Sequence, residues 1–215
     1  LTTTFNFPPL TLNRSYDYDP LSQLTSATEG LVKTPYTYDP VGNRLTAAGQ
    51  AYVPNRLNQY SAVGAITLRH DPNGNVTFDG INVYAYDSEN RLIRATGAGG
   101  ATTYTYDALG RRASKMTNGI TTQFLYDGEQ IVADLDATGK IVARYVYGPG
   151  IDEPLAMIKG GKTYYFHADL LGSIVALTDA RGQIIERYTY DAFGSPTILD
   201  PSGQVRAASV VGNRF

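Results

Sequence analysis

The chain has 215 residues, with 18 Lys plus Arg against 20 Asp plus Glu and a formal net charge of −2. Hydrophobic residues make up 42%, enough for a core and against disorder, while the balanced charge leaves no polybasic footprint for nucleic acid or an anionic membrane. Asp outnumbers Glu 15 to 5, and Thr (23), Gly (22) and Tyr (17) are abundant, which argues against a helical bundle and for strands joined by many turns.

Cysteine is absent, so a disulfide framework, a thiolate nucleophile and a Cys-ligated metal are excluded, whatever the compartment. No apolar run approaches the roughly 20 residues of a membrane helix, so membrane insertion is not expected. The start Leu1-Thr2-Thr3 has neither an initiator Met nor a signal-like segment, as expected of a mature product or a fragment.

Residues 1–15 read as an arm. Residues 1–7 are strand-like, Pro8-Pro9 sets them apart, and they suit donation to the open sheet edge of a neighbouring subunit. From residue 16 a unit of about twenty residues repeats. Its first copies are Tyr16-Asp17-Tyr18-Asp19 and Tyr36-Thr37-Tyr38-Asp39-Pro40-Val41-Gly42-Asn43-Arg44-Leu45. An eroded copy at 52–57 and a weak one at Leu68-Arg69-His70-Asp71 with Gly74 lead to Tyr84-Ala85-Tyr86-Asp87 with Arg91-Leu92. Tyr104-Thr105-Tyr106-Asp107-Ala108-Leu109-Gly110-Arg111-Arg112 follows, then Phe124-Leu125-Tyr126-Asp127. Tyr145-Val146-Tyr147-Gly148 loses the aspartate, Phe166-His167-Ala168-Asp169 with Gly172 is weak, and Tyr188-Thr189-Tyr190-Asp191 with Gly194 is strong. Asp19 to Asp39 is 20 residues, and Asp87, Asp107 and Asp127 are 20 apart.

Each unit has a mechanical reading. Tyr-x-Tyr places two rings on one face of a strand, expected to be the buried one, because side chains alternate with period two. Asp followed three residues later by Gly matches the first and fourth positions of a type I turn, which the carboxylate locks by accepting a backbone N–H two residues on. An Arg such as Arg44 or Arg91 then opens the returning strand, where its guanidinium can lie over a neighbouring ring. In the second half, Asp136-Ala137-Thr138-Gly139 and Asp179-Ala180-Arg181-Gly182 turn further hairpins. The tail, 197–215, reads as a turn at Asp200-Pro201-Ser202-Gly203 and a strand over 204–211.

The Tyr-Asp units resemble YD repeats. The stretch from Tyr164-Tyr165-Phe166-His167-Ala168-Asp169-Leu170-Leu171-Gly172-Ser173 through Tyr190-Asp191-Ala192-Phe193-Gly194 is similar to the Rhs-repeat core signature. The resemblance covers residues 16–196 and implies a β-sheet ribbon that spirals into a hollow shell. In bacterial Rhs-type toxins such a shell encloses a C-terminal toxic domain; in animal teneurins it is part of an adhesion receptor. This sequence is far shorter than those chains and lacks the later segment at which the toxin relatives cut themselves. Asp200-Pro201-Ser202-Gly203 is read as an ordinary turn.

Four chemical readings compete with the structural one. His167, Asp169 and Ser173 have the letters of a hydrolase, as do His70 and Asp71, but both aspartates sit at the turn position that their sisters occupy without a histidine. Calcium needs six or more converging oxygens, whereas each turn offers one Asp. A carbohydrate platform would need exposed tyrosines, whereas period-two placement beside Leu, Ile and Val suits an inward face. Gly97, Gly99 and Gly100 form a hairpin end with no following helix to cradle a phosphate.

The expected fold is all-β: antiparallel hairpins in a long curling sheet, a β-solenoid or partial shell. About ten units of two strands, at ~4.8 Å per strand, would make a ribbon about 90 Å long that cannot stay flat and leaves both edges open. The expected function is a non-enzymatic scaffold with no cofactor or metal, extracellular or at the cell surface, self-assembling through its edges into a fibre. One alternative is a wall segment of an Rhs-type shell around a protein cargo, and another is a carbohydrate-binding or adhesion module.

Overall fold

The computed structural model describes residues 14–213, none of them helical. The chain divides into two compact units, 1–103 and 104–215. In the first, β1 (Arg14–Tyr18), β2 (Leu24–Glu29), β3 (Val32–Tyr38), β4 (Arg44–Ala47), β5 (Gln50–Pro54), β6 (Tyr60–Val63) and β7 (Ile66–Thr67) pair in chain order as a seven-stranded sheet. A second run follows with β8 (Arg69–His70), β9 (Val76–Phe78), β10 (Val83–Tyr86) and β11 (Leu92–Gly97), and β12 (Gly100–Tyr106) spans the unit boundary. The second unit continues with β13 (Arg112–Thr117), β14 (Ile120–Asp127), β15 (Gln130–Leu135), β16 (Ile141–Tyr147) and β17 (Pro154–Lys159). It ends with β18 (Lys162–Ala168), β19 (Ile174–Asp179), β20 (Ile184–Tyr190), β21 (Pro196–Leu199) and β22 (Val205–Arg206). Every pairing within a unit is antiparallel between successive strands, the meander expected of the hairpin repeat.

Two kinds of turn alternate in the first unit. β1–β2, β3–β4 and β10–β11 are joined through Asp19, Asp39 and Asp87, whereas β2–β3 and β4–β5 close in two-residue turns, Glu29↔Val32 and Ala47↔Gln50. The fourth position of the Asp turn is left-handed: Gly42 has φ 91° and Gly110 φ 80°, and Asn90 fills the same place at φ 60°. Asn tolerates that region and Gly is free in it, so the alternation of the two residues follows from sterics.

The second unit builds the larger core. Tyr145 faces Met157, which faces Tyr164, while Phe166 faces Leu177. Met157 and Leu177 are fully buried and join Tyr188, Ile174 and Val211 in one cluster.

Three sequence expectations need correction. Asp127 does not cap a turn: it ends β14 opposite Gln130, because Gly128-Glu129 closes a two-residue loop with no room for the five-residue turn. The strand expected over 204–211 shrinks to Val205–Arg206, because the tail beyond it crosses the core face and buries Val211. The repeat tyrosines are not uniformly buried: Tyr36, Tyr145 and Tyr188 are, Tyr38, Tyr84, Tyr86, Tyr104, Tyr106, Tyr126, Tyr147 and Tyr190 are half-buried, and Tyr18 is 61% exposed. The proposed donor strand, 1–7, lies outside the described residues.

Candidate functional site: the turn rim

The same five-residue device recurs at most of the Asp turns, while Asp79 closes a shorter turn on the N–H groups of Ile81 and Asn82. Asp39 Oδ1 accepts the N–H groups of Val41 at 3.0 Å and Asn43 at 2.8 Å, while the Asp39 N–H donates to the Asn43 carbonyl at 2.9 Å. Asp19, Asp71, Asp87, Asp107, Asp169 and Asp191 accept at the same two offsets, as do Asp136, Asp179 and Asp200. Asn55 does so in the eroded copy, which shows that a neutral oxygen suffices. The second carboxylate oxygen is engaged too, by Asn43 or Asn75 Nδ2 or by Arg91 or Arg111 Nε. The Asn43 side chain holds the Asp39 carboxyl below its usual range, and Asn75 does the same for Asp71. For Asp87 the Arg91 backbone N–H is the leading lowering influence.

The second tyrosine of several units performs a task that side-chain alternation does not reveal. The β2–β3 ladder ends at Ser26↔Pro35, and two residues further on the Tyr38 hydroxyl donates to the Leu24 carbonyl at 2.9 Å. Four more units repeat this offset. Tyr86 donates to Val76, Tyr126 to Arg112, Tyr147 to Ile131 and Tyr190 to Ile174, where the ladders end at Phe78↔Val83, Ser114↔Gln123, Ala133↔Arg144 and Ala176↔Arg187. The accepting residue of the first copy stands at a β-bulge of the neighbouring β1–β2 pair, Asp17↔Ser26 followed by Tyr18↔Leu24, and a bulge bends its strand and sharpens the local twist. The hydroxyl therefore staples the sheet where the backbone ladder has splayed. Burial pushes the Tyr38, Tyr86 and Tyr190 phenols up, so they stay protonated donors across the neutral range.

Arginines complete the rim. The Arg44 guanidinium lies 4.4 Å from the centre of the Tyr52 ring and Arg111 4.6 Å from Tyr126, the stacking expected from sequence. Arg91 and Arg111 also pair with Asp87 and Asp107, at 2.7 and 2.8 Å.

The hydrolase letters do not assemble. His167 Nε2 meets Thr178 Oγ1 at 2.9 Å, and burial pushes its pKa down. Asp169 instead accepts from the backbone of Leu171 and Ser173, while Asp71 does so from Asn73 and Asn75. Among the described residues, no group of three or more His, Cys, Asp or Glu side chains could hold a metal ion. No helix among them is long and apolar enough to cross a membrane.

Comparison with known proteins agrees with this geometry. The model of the Teneurin YD-shell family matches residues 4–203. The tRNA nuclease WapA of Bacillus subtilis (strain 168) is 34% identical over 204 residues, which are 88% of this chain and 9% of that protein. Human Teneurin-1 is 28% identical over 201 residues, 83% of this chain and 7% of that protein. Among solved structures, TcdB2-TccC3 without its hypervariable C-terminal region superposes with a TM-score of 0.53 at 14% identity, over 94% of this chain and 14% of the other. The Photorhabdus luminescens Tc holotoxin pore gives 0.51 at 14% identity, over 86% of this chain and 13% of the other. The chain thus spans under a tenth of the length of these curated relatives. It belongs to the YD-shell family, whose all-β, Rhs-type repeat architecture it has.

Proposed function

We propose that this chain is a wall segment of a YD shell: a non-enzymatic scaffold, extracellular or at the cell surface, that presents a curling sheet around a protein cargo. The observation that carries this reading is the fate of the repeat's polar groups. The caps engage the turn aspartates, the staples engage second tyrosines such as Tyr38 and Tyr190, and His167 is turned to Thr178. The name of the WapA relative says tRNA nuclease, and that activity belongs to a protein of which this chain covers 9%. Incubating the purified chain with tRNA should leave the tRNA intact. Cleavage that tracks with the purified chain would overturn the scaffold reading.

Edge-to-edge assembly is a second reading, favoured by β1. This strand is largely exposed, with Tyr16 43% and Tyr18 61% accessible, and among the described residues it pairs with β2 alone. Such an edge is a template for another chain. Electron micrographs separate the two: filaments favour edge pairing, whereas curved or closed sheets favour the shell wall. The carbohydrate platform has less support, since of the described tyrosines just Tyr16, Tyr18 and Tyr165 are largely exposed.

A further inference from the structure

Glu186 departs from the repeat. It stands two residues before the first aromatic ring of its unit, where other units carry Thr34, Asn82, Thr102, Thr122 or Ala143. Its accessibility is 0%, and it faces Leu177 across the β19–β20 ladder, on the core face of the second unit. A carboxylate in such a place is tolerated when donors surround it. Three do: the Tyr188 hydroxyl and Ser209 Oγ (2.8 Å) reach Oε2, and the Val210 N–H reaches Oε1. Two of these donors belong to the tail rather than to the repeat.

The neighbouring contacts have the same character. Lys159 Nζ donates to the Val211 carbonyl at 2.8 Å, the Val211 side chain enters the cluster of Tyr145, Met157 and Leu177, and the Asn213 N–H returns to Ser209 Oγ at 2.9 Å. A buried acceptor thus meets a main-chain N–H and an ammonium meets the next carbonyl, while the core takes one β-branched side chain. Main-chain contacts give affinity and side-chain pockets give selectivity in known modes of peptide capture. The β21–β22 ladder stops at Ile198↔Arg206, so the segment has left the sheet edge, despite the β-branched residues that suit it to extend β22.

We propose that the core face of the second unit is a peptide-binding site anchored by Glu186 and Lys159. Its ligand is a bent main chain presenting a small hydroxyl residue followed by two β-branched apolar residues, and Ser209, Val210 and Val211 fill it in cis. This inference is independent of whether the chain lines a shell.

The test uses the full chain and a fluorescent synthetic peptide of residues 207–213. Val211→Asp puts a charge into the apolar pocket and evicts the tail. The peptide should bind that variant at least tenfold more tightly than the wild type, whose site is occupied. Adding Glu186→Gln, which removes an acceptor, should weaken that binding at least tenfold. Equal binding to wild type and Val211→Asp, no binding to either, or binding indifferent to Glu186→Gln would overturn the proposal. A milder variant guards against misfolding: Lys159→Met should speed amide exchange at Val210 at least tenfold, and a wild-type Val210 amide exchanging at free-peptide rate would also overturn it.

Discussion

In the first unit Asp39 closes its turn on the N–H groups of Val41 and Asn43, and in the second Asp169 does the same with those of Leu171 and Ser173. Tyr38 and Tyr190 staple their splayed strands in the same manner. The interiors differ. Among the described residues of the first unit the buried hydrophobics are Leu24, Tyr36 and Ala47, whereas the second buries Met157 and Leu177 completely and gathers Tyr145, Phe166, Ile174 and Tyr188 around them. Strand length and composition explain this. β7 and β8 are two residues long and β9 three, too short to present an apolar row, while β16 to β20 are six or seven residues with an apolar residue at alternate positions. The repeat therefore supplies the same turns and staples to both units and leaves the depth of the core to the residues between them.

Truncation should separate the units most sharply. Leu177→Ala empties a site with no accessible surface and is expected to cost about 3 kcal/mol, whereas Val53→Ala, at a residue 49% exposed, should cost about 0.5 kcal/mol or less. Denaturant melts of the two variants check this, and similar losses would erase the distinction.

The staples should behave alike in both units. Tyr38→Phe and Tyr190→Phe each remove one hydroxyl and strand one carbonyl, Leu24 or Ile174, at about 1 kcal/mol apiece. Amide exchange around those carbonyls would report the opening. Loss at one site alone would mean that the staple depends on the core behind it.

Acid gives a smaller, graded contrast. Asp17, Asp39, Asp71, Asp79 and Asp87 in the first unit, and Asp107, Asp136 and Asp200 in the second, have carboxyls held below the usual carboxylate range. For Asp17 the leading cause is Ser26 Oγ, for Asp79 the Tyr84 hydroxyl, and for Asp136 and Asp200 the hydroxyls of Thr138 and Ser202. A depressed folded-state pKa contributes stability that is full above the unfolded value and is lost as pH falls through the folded one. Lowering the pH from 5 towards 2 should therefore loosen the first unit before the second. Amide exchange by unit decides it, and simultaneous loss would show that the smaller core does not set the order.

Much of the rim was legible in the sequence because its bonds are local. An Asp whose carboxylate serves N–H groups two and four residues on, with Gly or Asn at the left-handed corner, is written within five consecutive letters, as at Asp107 to Arg111. The exception was legible in principle: Gly128 directly after Asp127 signals a two-residue loop in place of the longer turn. The role of the second tyrosine was not, because Tyr-x-Tyr gives a face and says nothing of where the neighbouring ladder stops.

By itself, then, the sequence determined an all-β meander of hairpins, the chemistry of its turns and the family to which it belongs, since a repeat of about twenty residues leaves room for little besides two strands and two turns. Tertiary structure alone decided which rings are buried, where hydroxyls staple splayed strands and where the tail goes. Those outcomes rest on partners distant along the chain, such as Tyr190 with Ile174 and Glu186 with Val210, and on bulges that offset one strand from the next. Residues 204–211 show the physical reason: β-branched side chains favour a strand, but a buried carboxylate needing donors and an apolar pocket needing a side chain draw the tail off the sheet edge after Arg206.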